Sequence, residues 1–120
     1  IIAFQDGVYG AKKEKALLES DVFIISSRFE GHPMALIEAL SYGMPALVTT
    51  GANMRKEIED YNAGWGADAT VESIKQALLK MIDERLSFDT KGKNARHLAK
   101  KYAWDILAKG SREEYLRLLV

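Results

Sequence analysis

The chain has 120 residues, 48% of them hydrophobic and 28% charged, which suits one soluble globular domain with one core. Seventeen basic and 17 acidic residues give a formal net charge of zero, so no basic excess points to nucleic acid and no acidic excess to a disordered tail. There is no cysteine, which excludes a disulfide framework and a thiolate metal site. No apolar run approaches the roughly 20 residues that span a bilayer, and no signal peptide is visible.

In chain order, Ile1 to Phe4 is short, apolar and β-prone, and the turn Gln5-Asp6-Gly7 follows. Lys12 to Glu19 reads as a helix with its apolar stripe in Lys15-Ala16-Leu17-Leu18. Val22-Phe23-Ile24-Ile25 is the continuous apolar run of a central strand buried on both faces of a parallel sheet. After the loop Ser26 to Gly31, Pro33 reads as the first residue of a helix through Leu40, where its missing N–H costs nothing. Gly43 stops that helix and Pro45 prevents its resumption.

Ala46-Leu47-Val48-Thr49 is the next strand. Asn53 is placed to cap a helix through Tyr61, which Asn62-Ala63-Gly64 ends, and Trp65-Gly66 reads as a short edge strand. Thr70 caps a long helix to about Arg85, with Val71, Ile74, Leu78 and Ile82 at helical spacing. Two further helical segments cover Phe88 to Tyr102 and Trp104 to Leu119. Strands alternating with helices predict an α/β domain, a Rossmann-like parallel sheet flanked by helices. Ligands in such folds bind at the C-terminal ends of the strands, here the loops 5–10, 26–33 and 49–53.

The stretch from Ser27 to Ala39 carries the functional argument. A strand delivers a loop at that edge, and a helix leaves it at once. The helix start offers backbone N–H groups of Met34, Ala35 and Leu36 to an anion such as a diphosphate. Glu30 lies just before the helix and Glu38 between one and two turns into it. Carboxylates beside an anion site make sense if they face hydroxyls, as a nucleotide sugar would require of them. From spacing alone the other reading stays open: Glu38, Ser41 and Tyr42 as a solvated stripe, and Glu30-Gly31 as a plain turn.

The pattern Glu30-Gly31-x-Pro33-x-x-x-x-Glu38-Ala39, then Gly43-x-Pro45, resembles the E-x7-E signature of family 4 retaining glycosyltransferases. Phe4 through Lys15 is similar to that family's F-x-G-x-V…EK segment, and Ser20-Asp21-Val22-Phe23-Ile24 to its A-D-V-F-V. The segment from Gly51 to Gly64 is similar to G-x-x-E-I…G. Trp104-Asp105-Ile106 with Tyr115-x-x-Leu118-Leu119 looks like the C-terminal W-x-x-I…Y-x-x-L-L helix. Five segments in the family's order cover nearly the whole chain.

The resemblance implies the C-terminal, donor-binding half of a GT-B fold. It implies transfer of a hexose from a UDP-, GDP- or ADP-sugar to a saccharide or lipid-linked hydroxyl acceptor, with retention, in polysaccharide, capsule or lipopolysaccharide biosynthesis. Glu30 takes the catalytic position near the donor hexose and Glu38 the ribose contact. Met34 and Ala35 take the diphosphate through their backbone N–H groups, Gly31, His32 and Leu36 are further donor-binding positions, and Val8 lies by the base. No metal or other cofactor is implied, and the expected location is cytoplasmic, at or near the inner face of the membrane.

Pro33 stands where the family often has Gly, and His32 replaces a common aromatic. The family's acceptor domain and its Arg/Lys pair for the leaving diphosphate have no counterpart in residues 1–120, so the chain is expected to continue upstream and to be inactive as a fragment. Such a fragment is also expected to dimerise, through Ile1 to Phe4 or the last helix. Two other classes stay open, a non-catalytic nucleotide-binding or interaction domain and a nucleotide-sugar epimerase of the same fold. His97, with Lys93, Arg96, Lys100 and Lys101, reads as a solvated basic face or a membrane-surface patch. Trp65 and Trp104 read as packing anchors, and Arg28 as a surface residue within reach of a phosphate.

Overall fold

The computed structural model describes residues 2–119. Its elements run α1 (Ala11–Leu18), β1 (Phe23–Ile25), α2 (Met34–Ser41), β2 (Ala46–Thr49), α3 (Arg55–Asp60), β3 (Gly64–Ala67), α4 (Val71–Asp83), α5 (Phe88–Ala99) and α6 (Trp104–Leu118). The three strands are parallel and ordered β1-β2-β3, with Phe23 beside Ala46 and Ala46 beside Gly64. This is the α/β architecture that the alternating pattern predicts.

β2 is the fully buried strand. Its alternation divides the core. Ala46 and Val48 face one layer, with Leu36 and Leu40 of α2, Ile58 of α3 and Leu98 of α5. Leu47 faces the other, with Trp65 of β3 and Ala77 of α4. Two layers of helices thus cover the sheet.

Among the described residues the central position belongs to β2. β1 is an edge strand among the described residues, and Ile24 is 46% exposed. An all-apolar tetrapeptide does not distinguish centre from edge, because hydrophobicity reports burial of side chains and not pairing of the backbone. Ile2 to Tyr9 has no regular structure, so Ile2–Phe4 forms no strand, and Ile1 lies outside the described residues.

Thr70 caps α4 as expected, its hydroxyl accepting from the Ser73 N–H at 3.2 Å. Trp65 is the anchor expected of it, 3% exposed, donating from Nε1 to Glu84 Oε2 at 2.8 Å. Trp104 is not: it is 80% exposed at the start of α6, a helix that buries no residue.

Two glycines separate helix propensity from packing. Gly92, inside α5, lies where an added Cβ would stand 2.3 Å from the Gly43 carbonyl oxygen, so α5 rests on the end of α2 backbone to backbone. Gly110, inside α6, has nothing within 4 Å of such an atom. Gly110→Ala is expected to stabilise the chain by about 0.5–1 kcal/mol through helix propensity. Gly92→Ala reverses the sign and destabilises by roughly 1–3 kcal/mol through overpacking. Urea unfolding of the two variants beside the parent checks both; equal and favourable shifts would show that the α2–α5 contact is loose.

Candidate functional site

The loop after β1 and the loop after β2 meet at the C-terminal edge of the sheet. The Thr49 hydroxyl donates to the Ser27 carbonyl at 2.5 Å. An added Cβ on Gly51 would stand 2.3 Å from the Arg28 carbonyl oxygen, so only a glycine lets the two backbones come this close. Asn53 Nδ2 donates to the Gly31 carbonyl at 2.8 Å.

This corrects the reading of Asn53 as a helix cap. Asn53 adopts φ 62°, the left-handed region that asparagine tolerates, and Met54 occupies the N-cap of α3. The side chain is thereby free to hold the 26–33 loop. Thr49, Gly51 and Asn53 are site-supporting residues that the sequence reading missed. The Gly51-x-Asn53 pair was the available signal, since both residue types suit tight backbone geometry.

The clamped loop presents Glu30, half-buried, with Ser27 Oγ donating to its Oε1 at 2.5 Å. Ser27 therefore holds both ends of the turn, its carbonyl fixed by Thr49 and its hydroxyl fixing the carboxylate. Pro33 follows, buried, at the N-cap rather than inside α2. Its carbonyl accepts from Leu36 at 3.0 Å and Ile37 at 3.2 Å, and Met34 N–H donates to the His32 carbonyl at 2.9 Å. Of the three donors expected to be open, Met34 and Leu36 are thus engaged, and Ala35 alone has no backbone acceptor among the described residues. Leu36 is fully buried, whereas the Met34 and Ala35 side chains are exposed. His32 is exposed and its ring lies 5.5 Å from that of Tyr102, tying the loop to the end of α5.

Glu38, in the second turn of α2, pairs with Lys13 of α1 at 2.9 Å between Nζ and Oε1, both side chains partly exposed. Hydrogen bonding to Glu38, and then its charge, raise the Lys13 ammonium above its usual value of 10.5. A raised lysine contributes its stability below that value and loses it as pH climbs past the folded-state pKa.

A cleft of about 310 Å³ opens between α1 and α2 beside β1, walled by Val8, Lys13, Phe23, Ala35 and Glu38 among others. Val8, Ala35 and Glu38, 30 residues apart at their extremes, share this one space. Glu30, Gly31 and His32 do not line it; they stand on the clamped loop that leads into α2. On the other flank of α2 a groove of about 670 Å³ runs past Met34, Ile37, Tyr102 and Trp104, so Ala35 and Glu38 sit on a ridge between two concavities. Arg28 is exposed on the loop. No cluster of three or more metal-ligating side chains occurs among the described residues.

The profile of the family described as Glycosyl transferases group 1 matches residues 2–103, from before α1 through the end of α5. The chain belongs to that family. This group 1 glycosyl transferase chain is 25% identical over 96 residues to the uncharacterized glycosyltransferase MJ1178 of Methanocaldococcus jannaschii, a match covering 79% of the chain and 27% of the relative. Its fold is similar to the crystal structure of WaaG, a glycosyltransferase involved in lipopolysaccharide biosynthesis, with a TM-score of 0.67 and 22% identity over 81% of this chain and 26% of that one. The GT-B-type α/β fold expected from the sequence is thereby established, and the chain spans about a quarter of the length of these relatives. No helix among the described residues is long and apolar enough to cross a membrane.

Asn53→Gly keeps the left-handed backbone and removes only the tether to Gly31. Amide hydrogen exchange is expected to speed up in residues 28–33 by about 5- to 10-fold while the core of β2 is unchanged, as fits loss of one neutral hydrogen bond worth about 1 kcal/mol. Unaltered exchange in that loop would show that Thr49 and Gly51 suffice to hold it.

Proposed function

We propose that this chain forms the nucleotide-sugar donor site of a retaining hexosyltransferase of the family 4, E-x7-E type. The observation that carries the reading is the shared cleft: Val8, Ala35 and Glu38, each given a donor contact by the family resemblance, wall one space between α1 and α2 beside the edge strand β1. Family membership supplies the glycosyl transfer. The diphosphate is assigned to the Ala35 N–H and the positive end of α2, where an open donor and the helix dipole act together. Glu38 takes the ribose diol, for which an acceptor-only carboxylate is matched. Val8 lies against the base.

Glu30 stands by the hexose, its carboxylate oriented by Ser27 Oγ. In the transfer, an acceptor hydroxyl attacks the anomeric carbon on the face from which the nucleoside diphosphate departs. The glycosidic bond to the β-phosphate breaks, the new bond to the acceptor oxygen forms, and the departing phosphate oxygen takes the acceptor's proton. The configuration at the anomeric carbon is retained. The likeness to WaaG favours a saccharide or lipid-linked acceptor in lipopolysaccharide or related polysaccharide assembly.

Calorimetric titration with UDP, GDP, ADP and their hexose conjugates tests the reading. Glu38→Ala is expected to weaken the preferred nucleotide by roughly 1.5–3 kcal/mol, the range for hydrogen bonds to a charged group, with little change in melting temperature. Glu30→Ala is expected to leave the bare diphosphate unaffected and to weaken only the sugar conjugate. Full affinity in Glu38→Ala, or a large loss of thermal stability, would return Glu38 to an ordinary surface role.

A further inference from the structure

Lys13 belongs to α1, a helix with no buried residue. Its ammonium nevertheless reaches across the cleft to Glu38 Oε1 at 2.9 Å, joining the two walls. Such a partly exposed pair adds little to stability, so its placement calls for another account.

The cleft supplies one. Glu38 stands one helical turn from the Ala35 N–H, on the side of α2 facing the same space. A diphosphate held at Ala35 would meet the Glu38 carboxylate as a like charge, and like charges in neighbouring positions repel. Glu38 can serve hydroxyls beside a diphosphate only if its own charge is balanced. Among the described residues, Lys13 is the cation within ion-pairing distance of it. Lys13 engages Oε1, which leaves Oε2 for a diol.

We propose that Lys13 is a positioning residue of the donor site. It balances the charge of Glu38 beside the diphosphate and fixes the carboxylate so that its second oxygen meets the ribose. The proposal rests on the reading of Glu38 as the ribose carboxylate.

The 120-residue chain is titrated with UDP, GDP and ADP, and with uridine, guanosine and adenosine, as parent, Lys13→Met, Lys13→Arg, Glu38→Gln and Lys13→Met/Glu38→Gln. Lys13→Met is expected to weaken the preferred diphosphate by about 5- to 10-fold at low salt, the scale of one partly exposed charge-assisted contact. The loss is expected to be smaller for the uncharged nucleoside, to shrink in about 0.5 M salt, and to be largely restored by Lys13→Arg. In the Glu38→Gln background, with no charge left to balance, Lys13→Met is expected to change affinity by less than about 2-fold.

An undiminished loss in that background would mean that Lys13 touches phosphate directly, and would overturn the positioning role. Unchanged affinity in Lys13→Met, with Glu38→Gln still weakening, would overturn this inference and leave the donor site standing. A parent chain that binds none of the six compounds would overturn both.

Discussion

The burial of β2 is the constraint on which the rest depends. Ala46, Leu47, Val48 and Thr49 are all without solvent exposure, and the strand is flanked by a parallel neighbour on each side. Its last residue is polar. Buried hydroxyls need partners, and Thr49 finds one in the Ser27 carbonyl at the end of β1. The same residue that completes the core therefore begins the clamp on the functional loop. The Thr49 hydroxyl joins core to site, Gly51 and Asn53 complete the clamp, and the geometry of Glu30 inherits the rigidity of the sheet.

α2 receives that rigidity next. Pro33 fixes the angle at which the chain enters the helix and withholds an N–H, while its carbonyl closes the first turn. The turn then consumes two of the three donors that a helix start would otherwise offer, and leaves Ala35. An anion at this helix would be met by one well-directed N–H together with the dipole, not by a broad array. The narrowness fits a site in which neighbouring carboxylates handle hydroxyls.

Much of the fold was legible because each signal was local. The bounds of β2, the Thr70 cap and the termination of α2 at Gly43, which adopts φ 79°, follow from residue type and immediate neighbours. Misreadings arose where a partner distant in sequence decides the outcome. Asn53 has the chemistry of a cap, but a carbonyl 22 positions earlier claims its side chain. Trp104 has the bulk of an anchor with nothing among the described residues to bury it. At the site, Val8, Ala35 and Glu38 wall one cleft, whereas the Lys13 pair is invisible to any pattern, because α1 and α2 meet only in three dimensions.

The order of strands in the sheet is also their order along the chain. Every strand pairing therefore closes a loop of about 20 residues, and the entropy of such closures grows only slowly with length. No strand must wait for a distant segment to arrive between its neighbours. Parallel strands need a crossover between them, and this order keeps each crossover near its minimum length. The longest-range contact of the described hydrogen bonds, Arg96 to the Tyr42 carbonyl across 54 positions, then arises when α5 docks on a sheet and helix already formed. In terms of sequence separation, the clamp on the 26–33 loop belongs with the strand pairings, and the groove beside Tyr102 and Trp104 with the longer-range docking of α5.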